Sequence, residues 1–154
     1  MLLDHQLVPQ TTIKPNSFVG LMALYESNFL RLLQLIPELD RIDGCFRSRV
    51  AGDCDLHVAI LDKSRYTVTL SLTYIFESSE GDVADPDMQV RAYLDGRLAE
   101  CMSLSRTHSH QELRRLVRMD GPALGARWKR NVVLNKWLEY LADQGHLVLD
   151  RSSV

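Results

Sequence analysis

Between Arg65 and Glu77 the sequence alternates without a break. Tyr66, Val68, Leu70, Leu72, Tyr74 and Phe76 fall on one side, and Thr67, Thr69, Ser71 and Thr73 on the other. Side chains of an extended chain point to opposite faces in turn, so such a run buries one row and leaves small hydroxyls on the other. A parallel strand covered on both faces would read as continuously apolar instead. The run therefore predicts an antiparallel strand covered on one face only, and an α+β fold around it. Cys45 to Val50, then Leu56, Val58 and Ile60, read as two further strands joined at Gly52-Asp53. If Ile60 and Tyr66 share the core face, the loop between their strands holds an odd number of residues, Asp62-Lys63-Ser64. Met88 to Leu94 and Arg97 to Leu104 form a hairpin across Asp95-Gly96, a pair that favours a two-residue type I′ turn. That register sets Tyr93 opposite Leu98, Arg91 opposite Glu100 as an ion pair, and Val90 opposite Cys101.

Helical periodicity flanks the strands. Residues 1–15 carry Pro9 and Pro15 and no periodicity, and read as an extended arm before a single α+β domain over 16–154. Asn16 or Ser17 caps a helix of about 20 residues bearing Phe18, Leu21, Met22, Tyr25, Phe29, Leu32, Leu33 and Ile36, which Pro37 stops. Ser109 to Glu112 matches a capping box for a short helix ending near Met119. The last helix covers about 127–144, with Trp128, Val132, Leu134, Trp137, Leu138 and Leu141 apolar and Gly145 as its C-terminal cap. Leu147 to Leu149 adds an edge strand. The expected architecture is an antiparallel β-meander of about five strands with the N- and C-terminal helices packed on one face.

Four stretches carry a family resemblance: "LYESNF" from Leu24, "SRYT" from Ser64, "DPDMQVRAYLDGRLAEC" from Asp85 and "NKWLEYLADQGH" from Asn135. Together they resemble the YqiB-like family of small bacterial proteins, a domain of unknown function. The resemblance implies a cytoplasmic bacterial protein and carries over no catalytic or binding residue.

Several chemistries lack their motif. None of the eight glycines falls in a phosphate-cradling G-x-G-x-x-G or G-x-x-x-x-G-K pattern, and neither H-E-x-x-H nor G-x-S-x-G occurs. No apolar run reaches the roughly 18 residues of a membrane span, and the N-terminus shows no signal peptide. A cytoplasmic location with no membrane association is expected. Cys45, Cys54 and Cys101 are odd in number and form no C-x-x-C pair, which argues against a disulfide framework. Cys45 and Cys101 read as small buried hydrophobes. His108 and His110 form H-x-H, which reads as two solvated histidines before a helix cap or as half of a metal site. Asp82, Asp85 and Asp87 belong to a loop over 77–87 with five acids and no base, but lack the spacing of a calcium loop. No metal or cofactor is expected.

Two candidate binding surfaces remain. Residues 106–136 hold eight bases against two acids, a local balance of +6 on a chain whose net charge is −2. Arg114, Arg118, Arg127, Lys129 and Arg130 are the anion-binding candidates, because three of them crowd a helix start whose dipole favours anions. The plain alternative is a solvated basic face. The second surface is the open side of the sheet, with Thr69, Ser71, Arg91, Tyr93 and Glu100, where Arg91 and Glu100 either bind a polar ligand or neutralise each other. Leu98 and Met102 share that side, which suggests a cover by another element of the chain or by a second copy as a homodimer. The expected function is a non-catalytic binding or accessory domain for a phosphate-bearing small molecule or a protein partner. The alternative is an enzyme acting on a phosphorylated small molecule, with Glu100 or an acid of the 77–87 loop as general base. No acid–base set assembles from sequence motifs. The lack of a nucleic-acid module argues against duplex nucleic acid.

Overall fold

A computed structural model describes residues 17–78, 81–104 and 125–150. Helix α1 (Phe18–Leu35) is followed by strands β1 (Cys45–Ser48), β2 (Asp55–Lys63), β3 (Thr67–Ser78), β4 (Gly81–Tyr93) and β5 (Leu98–Leu104), then by helix α2 (Ala126–Gln144). The strands form one antiparallel sheet in the order β1-β2-β3-β4-β5, the meander expected from consecutive strands joined by short connections. Val68, Leu70, Leu72 and Tyr74 of β3 are fully buried in one core with Phe29 of α1 and Trp137 of α2. The Tyr74 ring meets Trp137 edge-to-face, with centroids 5.2 Å apart.

Tyr66 departs from the alternating row. It precedes β3 and is about half exposed, with the Arg65 guanidinium 5.2 Å from its ring centre. The cause is a bulge in β2. Ile60 pairs with Leu70 but Asp62 pairs with Thr69, so Leu61 is the extra residue, and it is exposed. The odd residue expected in the loop is absorbed inside the strand. Beyond the bulge Lys63 pairs with Val68 and the Ser64 N–H bonds the Thr67 carbonyl, leaving only Arg65-Tyr66 in the turn.

The β4–β5 register is the one expected: Val90 opposite Cys101, Arg91 opposite Glu100, Tyr93 opposite Leu98. The turn is not type I′. That type needs positive φ at both central residues, whereas the positive φ falls on Arg97, at 57°, and not on Asp95 or Gly96. The loop is Leu94 to Arg97, because the Leu94 N–H points the other way and donates to the Tyr66 carbonyl at 2.7 Å. A strand residue directs its N–H and C=O to one side, so Leu94 cannot also close a turn with Arg97.

Residues 77–78 and 81–87 of the acidic stretch are also strand. Glu77 pairs with Asp82 and Ser78 with Gly81, and β4 continues from there. The register shifts between Thr73 and Ile75, next to Pro86, where a ladder donor is missing.

In α1 the Ser17 hydroxyl caps the helix by accepting the Gly20 N–H at 3.0 Å. Phe18, expected in the buried stripe, is 76% exposed. The buried positions include Leu24, Leu32 and Leu35 but also the polar Ser27, Asn28 and Arg31, for reasons given below. Gly145 ends α2 at φ 92°, a left-handed conformation that favours glycine, and bonds back to the last turn. The chain beyond it is not an edge strand. The Val148 N–H bonds the Leu35 carbonyl at the end of α1, so it is not available to a sheet ladder. Of the cysteines, Cys101 is buried, and burial pushes its thiol up to about 12. Cys45 is exposed, because β1 turns it away from the core.

Candidate functional site

Strand β5 lies at one edge of the sheet, where its outward N–H and C=O groups lack a neighbouring strand. The helices supply the missing partners. The Asn131 Oδ1 accepts the Cys101 N–H at 2.8 Å, Asn28 Nδ2 donates to the Ala99 carbonyl at 3.4 Å, and Arg130 Nε donates to the Cys101 carbonyl at 3.4 Å. Asn28 also donates to Asn131, and Asn135 donates to both Asn28 Oδ1 and the Ser27 hydroxyl. Thus Asn28 is buried because it completes an edge strand and Ser27 because it accepts from Asn135, whereas Arg31 lies against Glu139 of α2 at 3.7 Å.

The same junction gathers the basic start of α2 and the open face of the sheet. Thr69, Arg91 and Glu100 stand in one cross-strand row, with Tyr93 and Leu98 in the next and Ser71 beside Gln89. Arg91 and Glu100 are opposite, yet each takes another partner. Arg91 Nε donates to Thr69 Oγ1 at 3.1 Å, and the Tyr93 hydroxyl donates to Glu100 Oε1 at 2.6 Å. These bonds replace the expected ion pair. Bonding to Glu100, then burial, raise the Tyr93 pKa. On the helix side, Tyr25 of α1 has its pKa raised by burial first and by Glu100 second, against the opposing charges of Arg127 and Arg130. The charges of Glu100 from β5 and of two arginines from α2 therefore act on one phenol. Arg127 is exposed, and Lys129 and Arg130 are half-buried. The N-cap of α2 is Gly125, which brings no capping side chain, and no acid lies in the first turn. Arg114 and Arg118 lie outside the described residues, as do His108 and His110.

A second constellation stands at the opposite edge, and no motif announced it. Ser48 ends β1, Asp53 occupies the turn after Gly52, and His146 follows the glycine cap of α2. The Ser48 hydroxyl is 2.9 Å from His146 Nδ1, and His146 Nε2 is 2.8 Å from Asp53 Oδ2. Asp53 also accepts the Tyr74 hydroxyl at 2.7 Å and the Tyr140 hydroxyl at 3.4 Å. Burial alone would push the Asp53 carboxyl up. Bonds from Tyr74, His146 and the Cys54 N–H outweigh that, and hold it below the usual carboxylate range. An anionic Asp53 accepts the Nε2 proton, so in the neutral imidazole Nδ1 carries a lone pair toward the serine. The Leu147 N–H approaches Ser48 Oγ at 3.3 Å. A groove of about 990 Å³ opens here, lined by Ser48, Phe46, Arg49 and Leu147 to Leu149 among others. The sequence signals that point here are the Gly-Asp turn at 52–53 and the Gly-His pair after α2, 93 residues apart along the chain.

Among the described residues no group of three metal-ligating side chains clusters, and no helix is long and apolar enough to cross a membrane. Over residues 31–147 the sequence matches a family described as protein of unknown function, DUF1249. No curated protein and no solved structure matches the chain.

Proposed function

We propose, for a chain that belongs to the DUF1249 family of proteins of unknown function, a binding role for a small molecule that carries both a phosphate and a hydroxyl. One observation carries this reading: the charges of Glu100 from the sheet and of Arg127 and Arg130 from the first turn of α2 all act on the Tyr25 phenol. An anion alone would be repelled by Glu100. A ligand with two functions suits the junction, its phosphate on the guanidinium groups and its hydroxyl donating to the carboxylate. Ser71, Arg91 and Tyr93 extend the polar surface from that point, whereas Thr69 is buried and accepts from Arg91 Nε. Glu100 already accepts the Tyr93 proton at 2.6 Å, which suits recognition better than general-base work. We place the protein in the bacterial cytoplasm, as its resemblance to YqiB-like proteins implies.

The test is a calorimetric titration with nucleotides and phosphorylated sugars, on the wild type and on an Arg127→Ala, Arg130→Ala double variant. Saturable binding in the wild type, weakened by added salt and lost in the variant, supports the role. If no phosphate compound binds saturably, Arg127 and Arg130 are only a solvated surface.

A further inference from the structure

Ser48, His146 and Asp53 share an arrangement that the binding role does not use. Each is nearly closed to solvent, with side chains of His146 and Asp53 exposed by only 0% and 3%. Two hydrogen bonds of ordinary length join them in one line, hydroxyl to imidazole to carboxylate. A serine hydroxyl is a weak nucleophile unless a base takes its proton, and the base works only if a third group holds its tautomer and orientation. Asp53 supplies that third group, and it is itself fixed from other sides by Tyr74 and Tyr140. The groove beside Ser48 has an apolar wall in Phe46, Leu147 and Leu149, of which Leu147 and Leu149 are exposed by 47% and 43%. Solvent-exposed leucines lining a groove suit a short acyl chain.

We propose that Ser48 is a nucleophile for hydrolysis of a small carboxylic ester, with His146 as its base and Asp53 as a positioning residue. The Ser48 Oγ forms a bond to the ester carbonyl carbon while its proton passes to His146 Nδ1. The ester C–O bond breaks, and that proton leaves on the departing alcohol. Water then attacks the acyl-serine carbonyl, with His146 taking one water proton. The carboxylic acid departs as the proton returns to Ser48, so water is the only other reactant and serine is regenerated. The imidazolium formed in each half lies against the Asp53 carboxylate, which stabilises it. The rotation of the ring differs from the familiar hydrolase arrangement, in which Nε2 faces the serine. Either nitrogen can take the proton once the opposite one carries its hydrogen toward the carboxylate.

The competing account is that the three side chains only tie the segment after α2 to β1. Full-length wild-type protein, treated with a fluorophosphonate at pH 8 and digested, separates the two. A single adduct on the peptide containing Ser48 is expected, with labelling at least about 100-fold slower in Asp53→Asn. The same samples turn over p-nitrophenyl acetate, and the rate should rise with pH through one ionisation and vanish in Ser48→Ala. Two outcomes overturn the proposal. One is folded wild type that gains no adduct on Ser48. The other is ester turnover in Ser48→Ala equal to wild type. The labelling of the wild type decides the matter even if a variant fails to fold. It also leaves Arg127 and Arg130 untouched, so it is independent of the phosphate-binding role.

Discussion

Asp53 shows how one buried carboxylate is kept charged. Its hydrogen bonds from Tyr74, His146 and Cys54 outweigh a desolvation cost that would otherwise favour the neutral acid. Removing one donor tests this directly. Tyr74→Phe keeps the ring against Trp137 and deletes the 2.7 Å bond. A loss of about 2 kcal/mol in urea denaturation at pH 7 is expected, the usual worth of a bond to a charged group. The sign of the pH dependence follows from the lowered pKa. Asp53 binds a proton more readily when unfolded, so its contribution is fully present above the ordinary value of 3.8 and is lost as pH falls through the folded one. Stability curves of wild type and Tyr74→Phe should converge as pH is lowered below about 4. Parallel curves down to pH 2 would mean that the Tyr74 bond does not depend on the carboxylate charge.

At the scale of elements, the sheet edge at β5 is held by side chains rather than by another strand. Asn131 accepts the Cys101 N–H in a fully buried position. Asn131→Ala leaves that donor without its acceptor and should cost about 1–3 kcal/mol. Hydrogen exchange should quicken most at the Cys101 amide, while amides of the central strand β3 follow only the global change. Equal slowing or quickening across the whole sheet would count against local protection by Asn131. The C-terminal end of α2 makes a smaller case. Gly145 has a φ of 92°, with open space where a Cβ would stand. The cost of Gly145→Ala is therefore conformational, about 1 kcal/mol by thermal denaturation. A stability unchanged by this substitution would mean that the cap relaxes to a right-handed conformation.

At the scale of the molecule, one core joins β3 to both helices. Leu72 is fully buried between them, and Leu72→Ala should cost on the order of 2–5 kcal/mol, with a lower midpoint and an unchanged denaturant slope. The segment after α2 belongs to this core. Val148 is 2% exposed and donates to Leu35, and His146 reaches Asp53 and Ser48. A chain ending at Gly145 should consequently melt at least several degrees lower, as the loss of a few kcal/mol implies. An unchanged melting temperature would show that the tail adds nothing to the fold.

Local pattern alone determined much of this. The period-two run from Val68 to Tyr74 decided a half-covered antiparallel strand, and the pairing of Arg91 with Glu100 followed from hairpin spacing. Both depend on neighbours in the chain, whose geometry is set by backbone stereochemistry. The bulge at Leu61 and the four-residue loop at Leu94 to Arg97 were decided by strands beside them, since a ladder directs each N–H to one neighbour only. The stripe of α1 misled in the same way. The apolar positions left out Ser27 and Asn28, which are buried because Asn28 serves the edge strand and both take bonds from Asn135. The Ser48–His146–Asp53 line was the least legible of all. Its members are separated by up to 98 residues, and none stands in a motif. Only packing of the tail after α2 over the end of β1 brings a hydroxyl, an imidazole and a carboxylate within hydrogen-bond range, and such contacts leave no period or spacing along the chain.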